Sequence, residues 1–276
     1  GRVMMGACVG EPDVTALDAE ELKATPGLNI SVSPIMAICG LLFQTRDPLL
    51  QDVRIRRAIA LSMDYVQMVA ALSNGLSTPN NSAIPQTSAY YDGVARRGYT
   101  YDLDKARALL GEAGYHGQPI KMLVNKRYQQ MFDMGVLTQA MAQAAGLNIQ
   151  METLEWGTQL ERYQSGNYQM MSFSYSPRFD PALSFDTVMG DKDKEPRKVW
   201  DNPQAQAMLR EAVRETDTIR RQKLFDALHA MMIEEVPMVI IYNGTTIGAY
   251  QRRLEGYRSW PIAKPRLWGV QLVSQP

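Results

Sequence analysis

The sequence predicts an α/β protein built around a mixed β-sheet flanked by helices. A strand-helix-strand unit fills residues 119–156. The run "VPMVIIY" at 236–242 has the length and apolar continuity of a fully buried strand. Between such strands lie segments with apolar residues at three- and four-residue steps, each opened by an Asp or Asn suited to cap a helix. The 276 residues are 45% hydrophobic, and 29 Lys plus Arg balance 29 Asp plus Glu. That is enough chain to bury a core without disulfides or metal. It lacks the basic excess of a nucleic-acid partner, and no apolar run approaches the roughly 20 residues that span a bilayer.

"LNISV" (28–32) and "ICGLLFQ" (38–44) read as strands. A helix capped by Asp52 follows, with Ile55, Ile59, Met63, Val66 and Val69 as one inward stripe and Gly75 as its stop. "STPNNSAIPQTS" (77–88) is an ordered loop in composition. Asp102 caps the next helix, whose stripe is Leu103, Ala106 and Leu110 and whose stop is Gly114. "PIKMLV" (119–124) and "LNIQMETLEW" (147–156) are strands around a helix over 129–145, with Met134, Leu137 and Met141 inward. Two strands joined by a helix in this length imply a parallel pair with a right-handed crossover.

A short helix over 157–165 leads to the strand "YQMMSFSYS" (168–176). There Met171, Phe173 and Tyr175 share one face and Ser172, Ser174 and Ser176 the other. The serine row leaves room for a second backbone or a ligand. Pro177 stops the strand, Arg178 follows, and Asp180-Pro181 reads as a turn. "DKDKEPRK" (191–198) reads as a solvated charge run. Asn202 with Pro203 opens a helix, and Asp217 another carrying Leu224, Leu228 and Met231 inward. The remainder is a short strand and an aromatic-rich return.

The catalytic vocabulary is thin. His116 and His229 are far apart, and His229 reads as structural. No HExxH, CxxC, GxSxG, Walker loop or strand-following GxGxxG occurs. "GEAGYHG" ends a helix rather than opening one, the wrong polarity for phosphate. No metal or cofactor is implied. Cys39 reads as a buried thiol, with a Cys8–Cys39 bridge left open in an oxidising compartment. The opening "GRVMMGACVGEP" lacks the basic start and long apolar core of a signal peptide.

"DPLLQDVRIRRAIALSMDYVQMVAAL" resembles a recurring segment of the bacterial extracellular solute-binding proteins of the oligopeptide, dipeptide and nickel type. In that family a strand ending in Asn precedes Pro and then Asp-x-Arg-x-Arg-x-Ala. Here Gln44 stands where the Asn is usual. "YDLDKARALLGEAGY", "EWGTQLERYQSGNYQ", "RQKLFDALHAMMIEEVPMVIIYNG", "LEGYRSW" and "RLWGV" resemble later segments of the family in the same order. The resemblance implies a periplasmic-binding-protein-like (type II) lobe. Residues 40–243 would form the second, ligand-binding lobe. Residues 1–39 and 244–276 would belong with a first lobe that the chain lacks, the true start lying upstream.

In peptide-binding members the segment matching residues 175–181 carries an aspartate that pairs with the peptide's ammonium. Here Pro177 or Arg178 falls at that position. At about 4 Å and an effective dielectric near 20, exchanging attraction for repulsion is worth several kcal/mol, so a free-amine peptide is disfavoured. Arg178 is instead expected to bind a carboxylate or other anionic group. Trp156, at the end of the preceding strand, and Tyr175 would form flat walls, with Ser174 and Ser176 as donors. Gln44, and Tyr242 and Asn243 near the presumed hinge, complete the candidate set, and Trp268 lies near that hinge too. Arg178 pairing with Asp180 or Asp186 on an exposed loop is the competing expectation. The function implied is the non-enzymatic capture component of an ABC importer, working outside the cytoplasmic membrane with a permease and a small-molecule or peptide-like ligand. A ligand sensor, or an α/β hydrolase or transferase with its catalytic groups elsewhere, stays open as the alternative.

Overall fold

The structure is a computed structural model that describes residues 5–7, 21–264 and 266–273. Its centre is a five-stranded mixed sheet in the order β5-β4-β6-β3-β7. The strands are β3 (Ile38–Phe43), β4 (Ile120–Asn125), β5 (Ile149–Leu154), β6 (Met170–Tyr175) and β7 (Met238–Tyr242). β4 runs parallel to β5 and β6, as the strand-helix-strand pattern predicts, while β3 is antiparallel to both β6 and β7. Every residue of β3 and β7 is buried. β3 is a central strand covered on both faces, while β7 at the edge of the sheet is covered by the 79–80 segment, where Asn80 N donates to Ile241 O at 2.9 Å.

One face is covered by α1 (Val53–Leu61), α2 (Tyr65–Ser73), α3 (Leu103–Glu112) and α4 (Gln129–Ala144). The other is covered by α5 (Trp156–Ser165), α6 (Pro181–Val188), α7 (Pro203–Arg214) and α8 (Thr218–Glu235). β3 divides its side chains by parity, Cys39, Leu41 and Phe43 toward the first layer and Ile38 and Leu42 toward the second. Asp52, Asp102, Asn202 and Asp217 each accept from backbone N–H groups of the helix they open.

Local detail departs from the sequence pattern in five places. The helix expected to run from Asp52 to Gly75 is two helices, because Asp64 accepts from Gln67 N and restarts the backbone as a new N-cap. The restart changes the phase, so Val66 is exposed and Tyr65, Met68 and Val69 are buried. Trp156 opens α5 rather than ending β5. Asp180-Pro181 is the N-cap and first residue of α6, not a free turn. In the charge run 191–198, Lys192 and Lys198 are only 3% and 4% exposed. In α8 the inward stripe centres on Phe225, Leu228, His229 and Met232.

A second, three-stranded antiparallel sheet has the order β1-β8-β2, from β1 (Met5–Ala7), β2 (Leu28–Pro34) and β8 (Thr245–Gln251). A further pair, β9 (Leu254–Glu255) and β10 (Gln271–Leu272), closes the loop between them. The chain passes between the two sheets at residues 35–37 and again at 243–244. The crossings lie side by side: Ile35 N donates to Gly244 O at 3.2 Å, and Asn243 Nδ2 to Ala37 O at 2.9 Å.

Candidate functional site

The end of the central sheet nearest these crossings gathers most of the predicted residues. Ile38 is registered opposite Tyr175, and Cys39 opposite both Ser174 and Tyr242. Cys39 is a buried free thiol; Cys8 lies outside the described residues. Burial pushes the Cys39 thiol up to about 11, opposed by the nearby Ser174 and Tyr242 hydroxyls. Burial likewise raises the Tyr242 and Tyr175 phenols well above their ordinary value.

Tyr175 is 7% exposed and packs into the second-layer core against Tyr163 and Phe173. It underlies the surface instead of forming a wall. The buried hydroxyls of Tyr175 and Ser174 meet no partner at full hydrogen-bond geometry. Of the serine row, Ser172 is buried and donates to Met131 O at 2.6 Å, so the close backbone there is α4. Ser176 lies past the strand end and is exposed.

Trp156 is half-buried and does present a flat surface. It stacks on Phe173 at 5.8 Å and takes Tyr128 edge-on at 5.0 Å. Tyr128 is the N-terminal neighbour of α4 and extends this aromatic row; no motif in the sequence points to it.

Arg178 is partly exposed. Its backbone N–H donates to Met36 O at 3.3 Å, and among the described residues its guanidinium donates only to the carbonyls of Ser176 and Pro177. Neither acid proposed as its surface partner is paired with it. Asp180 accepts from Arg221 through both carboxylate oxygens at 2.9 Å, and no ion pair joins Asp186 to Arg178 among the described residues. Arg178 therefore keeps its outer donors for something else.

Asn243 is buried and fully engaged. Its Oδ1 accepts from Asn80 Nδ2 at 2.8 Å, and its Nδ2 holds Ala37 O. It pins the crossing to the 77–88 loop. Gln44 lies at the far end of β3, six residues from the Tyr175 register, or roughly 20 Å along the strand. There Gln44 Nε2 donates to Gly166 O at 2.8 Å, and Gln44 Oε1 accepts from Lys192 Nζ at 3.0 Å. The structure separates Gln44 from the rest of the candidate set.

Next to Arg178 is a group that sequence reasoning largely missed. Phe179, 52% exposed, packs on Trp260 at 5.8 Å. The Arg266 guanidinium lies between Trp260 and Trp268, at 4.2 and 4.4 Å from their ring centroids. The only prior signal was the aromatic richness of the return. Two surface depressions, about 470 and 320 Å³, lie elsewhere, between α6 and α7 and beside α2. Among the described residues no group of His, Cys, Asp or Glu is placed to hold a metal, and no helix is long and apolar enough to cross a membrane. What remains is an open surface of aromatic rings and of guanidinium groups that meet no carboxylate among the described residues, beside a two-stranded crossing.

The family model described as bacterial extracellular solute-binding proteins, family 5 Middle, matches residues 9–196. The chain belongs to this family, whose members bind solutes. It is 25% identical over 268 residues to the probable deoxycholate-binding periplasmic protein YgiS of Escherichia coli K12, covering 93% of this chain and 49% of that protein. It is 24% identical to the dipeptide-binding protein of the same organism, covering 98% and 52%. The crystal structure of a putative peptide binding protein AppA from Clostridium difficile superposes with a TM-score of 0.85 at 15% identity, over 98% of this chain and 57% of that one. The chain thus spans about half the length of the curated relatives it matches.

Proposed function

We propose that this chain is the ligand-gripping half of a two-lobed receptor that captures a small solute or peptide-like molecule and delivers it to an ABC permease outside the cytoplasmic membrane. Residues 40–243 act as the second lobe. The sheet formed by the flanking segments belongs with a first lobe supplied by the remainder of a longer protein. The role is binding, without turnover.

One observation carries this reading. The chain passes between its two sheets twice, at adjacent points tied by Asn243–Ala37 and Ile35–Gly244, and the unpaired Arg178 sits beside that neck. A short double crossing lets two bodies rotate about one axis, as hinge closure requires. A ligand at the neck is then enclosed from both sides and loses water. Arg178 receives a carboxylate or other anion, because its planar fork offers two parallel donors. Trp156 supplies the apolar wall, while Ser174, Ser176, Tyr175, Tyr242 and Asn243 shape the floor.

The test is mass spectrometry of solutes retained by the purified full-length protein, followed by calorimetric titration with the solute found. Arg178→Ala is expected to weaken affinity about tenfold or more, in keeping with loss of a charge-assisted pair. Unchanged affinity would mean that the cation serves the surface alone.

A further inference from the structure

The segment from Arg252 to Trp268 carries Arg252, Arg253, Arg258, Lys264 and Arg266 against Glu255 alone, although the chain as a whole is neutral. This positive charge is held in a built loop. Its base is closed by β9 pairing with β10 and by Gly256 lying against Gly269, where a Cβ on Gly256 would stand 2.2 Å from Gly269 O. Its body is fastened to the second sheet by Ser31 Oγ and Ser259 Oγ at 2.6 Å, and to the crossing by Met36 N donating to Pro261 O at 2.7 Å.

Met36 therefore joins two loops. Its N–H holds Pro261 and its carbonyl receives the N–H of Arg178. Phe179, the next residue after Arg178, packs on Trp260, and Trp260 in turn carries the Arg266 guanidinium over its ring. The two indoles stand 6.1 Å apart at 64° and so meet the Arg266 guanidinium from two directions about a right angle apart, and because Arg266 is exposed its N–H edge stays open. Among the described residues that edge meets no carboxylate or carbonyl. The two ring contacts hold the cation in place without using its donors, which pre-organises it for an anion.

From this we infer that Arg266 is a second anion-binding group of the same site, and that the ligand carries two acidic groups joined by an apolar body. One carboxylate meets Arg178, the other meets the edge of Arg266, and the body lies over Phe179 and Trp260. This rests on the reading of the neck as the ligand site, and it narrows the ligand to diacids.

The test uses the full-length protein and straight-chain dicarboxylates from succinate to sebacate, each against its own monomethyl ester. The ester keeps the size and removes one charge. Binding is followed by tryptophan fluorescence, with Trp260 and Trp268 as reporters, and by calorimetry. Affinity is expected to peak at one chain length, with the diacid about tenfold or more tighter than its ester. Arg266→Gln should abolish that ratio while leaving ester binding in place. Arg266→Lys should recover only part of it, because an ammonium lacks the stacked planar edge. Arg266 is exposed, and circular-dichroism melts confirm that the variants fold. An unchanged diacid-to-ester ratio in Arg266→Gln overturns the inference, as does equal binding of diacid and ester, or binding of neither, by the native protein. If Arg178→Gln alone weakens binding, the ligand site stands and the second anion group falls. If Arg266→Gln alone weakens it, the role of Arg178 in the proposed function falls.

Discussion

Arg56 donates from Nε to the carbonyl of Val236 at 2.8 Å, joining the start of the helical layer on one face to the C-terminus of α8 on the other. Its remaining donors reach Leu50 O at 2.7 Å, Gln51 O at 2.9 Å and Glu235 O at 2.5 Å. These carbonyls include the orphan acceptors of a helix end, where a cation is favoured. The family-like Arg-x-Arg pair thus has two distinct jobs. Arg54 pairs with Asp52 near the surface, and Arg56 is a buried clasp, 6% exposed.

Arg56→Ala is accordingly expected to cost about 3 kcal/mol or more, since it strands several buried carbonyls at once. Arg54→Ala should cost about 1 kcal/mol or less, as for an exposed pair. Urea denaturation of both variants measures the difference. Equal losses would show that the buried clasp is not what holds α8.

Gly40 permits a close crossing of β3 and β7. A Cβ there would stand 2.1 Å from Val239 O and 3.0 Å from Ile240 Cα, where the register shifts between Cys39 and Gly40. All the atoms met are β7 backbone, so no flexible side-chain end can give way. Gly40→Ala should destabilise by more than about 3 kcal/mol, seen as a lower thermal midpoint or loss of soluble protein.

Lys192 is buried, and among the described residues its ammonium meets only neutral acceptors, Gln44 Oε1 and Thr45 Oγ1. Burial brings its pKa down from 10.5 to about 8. The folded state thus binds the proton less tightly than the unfolded chain does. The full penalty, about 3 kcal/mol, applies below pH 8 and fades as pH rises toward 10.5. This group therefore makes stability increase with pH across that window. Lys192→Met should stabilise the protein at pH 7 by about 1–3 kcal/mol and flatten the slope between pH 8 and 10.5. Chemical denaturation at several pH values checks both.

Gln44 and Trp156 separate stability from binding. Gln44→Ala removes the bond to Gly166 and one acceptor of Lys192 at the far end of β3. It should lower stability by about 1 kcal/mol and leave the affinity for the co-purified solute within about twofold. Trp156→Ala removes the half-buried ring stacked on Phe173 and should weaken that affinity about tenfold. Calorimetry on both variants would sink the site assignment if the ranking came out reversed.

Much of the fold was legible along the chain because its signals are local. Asp52, Asp102, Asn202 and Asp217 announce helix starts through short side-chain-to-backbone bonds a few residues ahead. The two-residue alternation in 168–176 sets which side chains share a face, and Phe173 and Tyr175 do share a core. The break at Asp64 was legible in principle, but a continuous apolar stripe concealed it.

The site was less legible, because membership depends on strand direction and on contacts between distant segments. Gln44 and Arg178 each follow a strand of the same sheet, yet β3 and β6 run antiparallel and place them at opposite ends. Nothing in "DKDKEPRK" distinguishes Lys192 from its exposed neighbours until β3 and the 189–200 loop come together around it. Arg266 gains its meaning from two tryptophan rings that meet at an angle around it and from Met36, more than two hundred residues earlier, which ties that loop to the backbone of Arg178. Sequence periodicity is enforced by neighbours in the chain and so survives inspection of a single strand of letters. The convergence of unpaired cations at the neck arises from long-range pairing, which acquires its geometry once the sheets have formed.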